Sequence, residues 1–144
     1  FMSEPQSLFA VRFAEPRDGA TIGALEHDAI HELHTFRGAP EFLLGLPDRT
    51  SENIVVVLEH SGIIVAFASM AVIENVAVVE RIYVVPHARE LGAGATLIEF
   101  LSNHARQLNC TRLESYALPG DRQTKNLFER AGMKARLLTV STAL

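Results

Sequence analysis

The stretch from Glu80 to Ala105, ERIYVVPHARELGAGATLIEFLSNHA, decides the fold. It opens on β-type residues, Ile82-Tyr83-Val84-Val85. It passes through a polar loop, Pro86-His87-Ala88-Arg89-Glu90, and reaches Gly92-Ala93-Gly94. Leu97, Ile98, Leu101, Ala105 and Leu108 then recur at helical spacing and predict an amphipathic helix facing a core. Strand, glycine loop and helix start together make a place for phosphate groups. The first N–H groups of a helix have no internal partner, and the helix dipole favours an anion beside them. Glycine lets a pyrophosphate approach the backbone with no Cβ in the way.

Two patterns use such a loop. A dinucleotide-binding turn reads G-x-G-x-x-G directly after a strand, with an acid about twenty residues on. Here Leu97 stands where the third glycine belongs, although Glu114 falls at the acidic distance. The loop from Pro86 to Leu91 is long for a tight first turn, and too little chain follows Glu114 to complete an open parallel sheet. The second pattern is P-x-x-R-x-x-G-x-G, present as Pro86, Arg89, Gly92 and Gly94. With its flanks it resembles the coenzyme A-binding signature of the GNAT superfamily of acyl-CoA-dependent N-acyltransferases. Glu80-Arg81-Ile82-Tyr83-Val84 is similar to the strand before that loop. Leu127-Phe128-Glu129-Arg130-Ala131-Gly132-Met133 is similar to the last helix of the family and the turn after it. The resemblance covers the C-terminal half closely and the N-terminal half by order of elements.

Length and composition agree with one globular α/β domain spanning residues 8–144. At 144 residues the chain is long enough to bury a core unaided, and 48% hydrophobic residues argue against disorder. A net charge of −4 with no basic run excludes nucleic acid as an expected partner. The lone cysteine, Cys110, leaves no internal disulfide and fits a reducing cytoplasm. No apolar run reaches membrane-spanning length, and no secretory leader pattern is seen. Phe1 precedes Met2 and reads as a leftover of expression, with residues 2–7 a loose tail.

The periodicity predicts a strand over 8–14 and a helix from an Asp18 N-cap to about Phe36, with Ile22, Leu25, Ala29, Leu33 and Phe36 inward. A short helix over 41–46 and a loop over 47–52 follow. Strands are expected over 53–59, 63–73 and 76–85, joined by hairpins at Ser61-Gly62 and Glu74-Asn75. After the long helix come a strand over 111–117, a helix opened by Pro119-Gly120-Asp121, and a final strand over 134–140. The resemblance implies a mixed, mostly antiparallel central sheet flanked by helices, with the fourth and fifth strands splayed apart. This chain is one strand short of that pattern. An open sheet edge is a pairing hazard. The sequence stops short, the edge is blunted, or a second subunit covers it; a homodimer would do so.

The resemblance also implies the chemistry: acetyl-CoA as co-substrate, and acetyl transfer to a primary amine, on a small molecule or a protein, by direct attack. Pantetheine would lie in the splay on the Val84 backbone. The pyrophosphate would sit on the N–H groups of Leu91, Gly92, Ala93, Gly94 and Ala95, helped by the Thr96 hydroxyl, with Arg89 meeting phosphate oxygens. An ammonium acceptor has a pKa near that of lysine, about 10, so its proton must be taken. Glu80, just before the coenzyme segment, is the expected base, directly or through water, and desolvation would raise its pKa toward usefulness. The opposing reading is an edge glutamate paired with Arg81.

For the acid, the family places a tyrosine on the last helix in a pattern resembling N-x-x-A-x-x-F-Y. This chain departs from it: Asp121 stands at the asparagine, among the coenzyme-binding positions, and Phe128 stands at the tyrosine. The thiolate leaves unassisted, another residue such as Tyr116 assists, or the domain is a weak catalyst; the competing class is a non-catalytic acyl-CoA-binding regulator. Tyr83 reads as structural. His27, His31 and His34 share a helix face, expected to line the acceptor cleft, and no metal site is expected. Cys110 reads as a small packed residue rather than a nucleophile.

Overall fold

A computed structural model describes residues 9–44 and 53–144. The expected tail over 1–7, the loop over 47–52 and the end of the short second helix lie outside the described residues. Five strands form one sheet in the order β1-β2-β3-β4-β5: β1 (Phe9–Phe13), β2 (Ile54–His60), β3 (Ile63–Ile73), β4 (Val76–Val84) and β5 (Arg112–Glu114). The first four pair antiparallel, and β4 pairs parallel with β5. The hairpin between β2 and β3 closes on Ser61 at φ 54° and Gly62 at φ 81°, the left-handed pair that a two-residue turn demands.

Helix α1 (Gly19–Leu33) covers one face of the sheet, where Ile22 and Leu25 pack on Val57 and Phe67. Helix α3 (Ala93–Gln107) covers the other, where Leu97, Ile98 and Leu101 join Val56, Leu58, Val79 and Val84. Helix α4 (Arg122–Arg130) lies beside α3 and adds Phe128 to that core. Helix α1 ends at Leu33 rather than Phe36. The chain tightens there into i→i−3 bonds, Thr35 N–H to the Glu32 carbonyl at 3.1 Å and Phe36 N–H to the Leu33 carbonyl at 3.0 Å. Helix α2 (Ala39–Leu44) follows, starting two residues earlier than expected because Pro40 suits a first helical turn.

Asp18 precedes α1, but its side chain makes no cap hydrogen bond to that helix. Its carboxylate turns back to Arg12 on β1, accepting from Nη1 at 2.7 Å and Nη2 at 2.9 Å, and also accepts from the Glu15 N–H at 2.7 Å. Arg12 Nε donates to Glu59 at 2.9 Å. The Arg12 bonds, and then the Glu15 N–H, hold the Asp18 carboxyl well below the usual carboxylate range. A depressed folded-state pKa stabilises above the unfolded value of about 4, and that contribution is lost as pH falls below it. Asp18→Asn is therefore expected to lower Tm at pH 7. The gap from the parent should shrink as pH falls from about 4 toward 2; a gap constant with pH would show that the carboxylate charge is not what ties β1 to α1.

Two expected strands differ. β5 covers 112–114 rather than 111–117, for a reason given below. The segment 134–140 is not a strand: residues 133–144 carry no regular secondary structure, with Leu137 89% and Val140 84% exposed. A strand needs a partner edge, and three-residue β5 offers a short one.

Candidate active site: a cleft at the splayed strands

The site begins with a fault in β4. On β3, Ser69 pairs with Arg81, but Met70 pairs with Val79, so Glu80 opposes no residue. This is a β-bulge, which bends a strand and re-aims a side chain. It also reverses the alternation. Before it, Ala77 and Val79 face the α3 core; after it, Ile82 and Val84 do, while Tyr83 turns to the α1 side and Arg81 approaches Glu26 of α1 at 3.7 Å. Glu80 is thereby delivered, half-buried, to a cleft beside α1.

The splay starts one residue earlier. β4 and β5 pair from Val76 opposite Arg112 to Val78 opposite Glu114, and no further. At the next step the Ser115 hydroxyl donates to the Val79 carbonyl at 2.7 Å. A side chain takes the place of a ladder bond, and β5 departs. β4 runs on alone through Val84. The Val85 N–H bonds the Val65 carbonyl of β3 at 2.9 Å, so by strand alternation the Val84 N–H faces the opened gap.

One continuous cleft follows β4. Its first end, about 570 Å³ to its open mouth, lies between α1, α2 and the segment after β5, with Glu80 among its walls. Its other end, about 590 Å³, runs past Val84, Gly92, Gly94 and Ala95 to Gln123 and Arg130 on α4. Glu32, Ile82, Tyr83 and Thr124 line both ends.

At the second end, Gly92 takes φ 86°, a left-handed conformation that starts α3. The first i→i−4 bond is Thr96 N–H to the Gly92 carbonyl at 3.1 Å, so the N–H groups of Ala93, Gly94 and Ala95 precede it with no helical partner. The Thr96 hydroxyl donates to the same carbonyl at 3.0 Å, so in this structure its proton is spent within the loop. Leu91 projects its side chain into solvent at 54% exposure. Gly94 also serves packing: a Cβ there would lie 2.4 Å from Leu127 Cδ1 and 2.6 Å from Leu127 Cγ, so the glycine admits α4 beside the loop.

Arg89 also differs from expectation. It leaves the loop and turns inward. Its Nε donates to the Val84 carbonyl at 2.8 Å, Nη1 to Gln123 Oε1 at 2.6 Å and Nη2 to Glu32 Oε2 at 2.6 Å. Its guanidinium lies 5.4 Å from the Tyr83 ring centroid. One side chain thus ties α1, β4 and α4 together where the two ends of the cleft meet, and it holds the carbonyl of Val84, on whose backbone pantetheine is expected to lie. Burial pushes the Tyr83 phenol up, against the pull of the Arg89 cation, so Tyr83 keeps its proton at neutral pH.

Asp121, expected among the coenzyme ligands, is the N-cap of α4. Oδ1 accepts from the Thr124 N–H at 3.0 Å and Oδ2 from the Thr124 hydroxyl at 2.7 Å, both with the carboxylate buried. Tyr116 is 50% exposed on the outer wall of the first end, its ring 5.8 Å from that of Phe42. The histidines at 27, 31 and 34 point to solvent, not to the cleft, which Ala29, Glu32 and Leu33 of α1 line instead. Among the described residues no cluster of metal-ligating side chains exists. Cys110 packs against the α3 core. Sequence reading missed Ser115, Glu32, Gln123 and Arg130. Only Ser115 left a trace, a hydroxyl at the end of a strand.

Phe128 is 8% exposed and belongs to the α3 core. Instead α4 gives the cleft Gln123, Thr124, Leu127 and Arg130. The expectation that a phenol at 128 would reach the reacting centre is thereby corrected: the residue faces packed side chains. Phe128→Tyr is expected to cost about 1–3 kcal/mol, the usual cost of a buried hydroxyl without a partner. Chemical denaturation reads this directly; unchanged stability would show that the para position opens to the cleft.

The chain belongs to the acetyltransferase (GNAT) family, whose model matches residues 13–133. An uncharacterized N-acetyltransferase, YhfO, of Bacillus subtilis is 24% identical over 131 residues, covering 85% of this chain and 87% of its own. Among solved structures, the aminoglycoside N-acetyltransferase AAC(6')-Iy in complex with CoA superposes with a TM-score of 0.72 at 14% identity, covering 99% of each chain. A ribosomal-protein-alanine N-acetyltransferase from Brucella melitensis biovar Abortus 2308 gives 0.70 at 17% identity, covering 96% of this chain and 100% of the other. These likenesses show the fold. No described helix is long and apolar enough to cross a membrane.

Proposed function

We propose that this chain is an acetyl-CoA-dependent N-acetyltransferase that passes acetyl to a primary amine by direct attack. The observation that carries this reading is the bulge that turns Glu80 into the cleft at the point where β4 and β5 part. The coenzyme supplies an activated thioester. The residues that fit it are the Val84 N–H at the gap, the N–H groups of Ala93, Gly94 and Ala95, and Arg130 as a cation at the same end. Glu80 takes the ammonium proton, directly or through water. Cys110, packed outside both ends of the cleft, is not positioned to carry the acyl group. A reducing cytoplasm suits its free thiol; co-fractionation with cytoplasmic markers tests that placement.

Calorimetry with acetyl-CoA and with NAD, followed by thiol-release assays on primary amines, tests the reading. Acetyl-CoA binding with amine-dependent thiol release supports it; NAD binding without acetyl-CoA binding overturns it. One observation favours a second reading, a non-catalytic acyl-CoA-binding domain. Phe128 lies in the core, and no tyrosine of α4 faces the cleft. Acetyl-CoA binding with no turnover on any amine would select that reading.

We further propose a homodimer. No described strand pairs with the outer edge of β5, while Leu137, Leu138 and Val140 stand exposed on a strand-length segment of the same chain. Sedimentation should give a dimer that Leu138→Asp weakens; a monomer at high concentration overturns this.

A further inference from the structure

We propose that the acceptor is an arylalkylamine, one primary ammonium on an aromatic body, recognised by Phe36, Phe42, Tyr116 and Leu118. This inference rests on the acetyl-transfer reading above. The end of the cleft that holds Glu80 has two chemistries. Its floor is β4 with Glu80, where an amine nitrogen must arrive to meet the coenzyme end. Its far wall is apolar. Phe42 of α2 meets Tyr116 edge to face across the cleft, with centroids 5.8 Å apart and planes at 69°. Phe36 lies against Gly120, its Cδ1 3.8 Å from where a Cβ would stand, and Leu118 lies against Gly38 at 4.0 Å by the same measure. Loop glycines on both sides seat these side chains, so the wall is built by the fold. Aromatic walls favour a ring in offset or edge-on contact.

The charges point the same way. A polyamine or an aminoglycoside carries several ammonium groups and needs several carboxylates to receive them. Among the described residues of this end, Glu32 is committed to Arg89 at 2.6 Å, and both Asp121 oxygens are committed to Thr124. Arg81 of the same wall is itself paired with Glu26 at 3.7 Å. The apolar far wall suits an uncharged body beyond a single ammonium.

Initial rates of thiol release from acetyl-CoA with 2-phenylethylamine, propylamine, spermidine and kanamycin test this. The expected kcat/KM for 2-phenylethylamine exceeds that for propylamine by about tenfold to a hundredfold, the order expected for burying one ring, and also exceeds both polycations. Phe42→Ala should reduce the phenylethylamine-to-propylamine ratio several-fold. Tyr116→Ala, at a half-exposed position, should do the same and guards against a folding failure of the first variant. Amine turnover with an equal or inverted ratio, or with spermidine or kanamycin preferred, overturns the substrate class and leaves the transfer reading standing. Acetyl-CoA binding with no thiol release from any amine overturns both.

Discussion

Glu80→Gln is expected to lower the acetylation rate at neutral pH by about a hundredfold or more while leaving acetyl-CoA affinity nearly intact. General base catalysis typically supplies that much. The bulge removes Glu80 from the β3 register and delivers it to the amine end, away from the glycine loop, so coenzyme binding should hardly notice the amide. The pH dependence carries the diagnosis. A primary ammonium has a pKa near 10, so raising the pH supplies neutral amine without a base and should recover part of the lost rate. Parallel rate–pH profiles for parent and variant would remove Glu80 from proton transfer. A fall in acetyl-CoA affinity equal to the fall in rate would make it a structural residue of β4.

The second large effect is expected at Gly94. Sequence reading alone makes Gly94→Glu a folded protein without coenzyme binding. The structure changes that expectation, because even a methyl group there would overlap Leu127. Gly94→Ala gains up to about 1 kcal/mol of helix propensity. Contacts of 2.4 and 2.6 Å to Leu127 are far inside ordinary packing, and overpacking of this kind costs about 1–3 kcal/mol. The clash should win, giving lower stability and weaker acetyl-CoA binding as α4 shifts with Gln123 and Arg130. Gly94→Glu should lose both more completely. A double-mutant cycle reads the cause: Leu127→Ala alone destabilises, yet in the Gly94→Ala background it should recover part of the loss. Strictly additive losses would mean that the α3–α4 contact is not what requires glycine.

Much of this architecture was legible in the sequence, and the rest was hidden for identifiable reasons. The Ser61-Gly62 hairpin, the apolar stripe of α3 and the loop before it follow from period and turn chemistry. The bulge does not. Val76 to Val84 reads as one β segment, and the extra residue shows only when β3 is laid beside it. The resemblance of its loop to the coenzyme signature puts Arg89 at phosphate; Glu32, which draws it inward, is 57 residues away in sequence. Asp121 and Phe128 take their expected roles from their positions in the family's last-helix pattern. That pattern cannot tell a cap from a ligand, nor a core face from a cleft face. The segment 134–140 has strand composition, but composition provides no partner.

The bulge at Glu80 is a detachable spur on β4. Removing that one residue would let Arg81 follow Val79 in the β3 register and would keep Ile82 and Val84 on the α3 core and Tyr83 on the α1 side. Ironing the bulge out with the residue count unchanged would instead turn every side chain from Arg81 to Val85 to the opposite face. The sheet can therefore shed the acid whole and keep its fold, but it cannot absorb that residue into regular pairing.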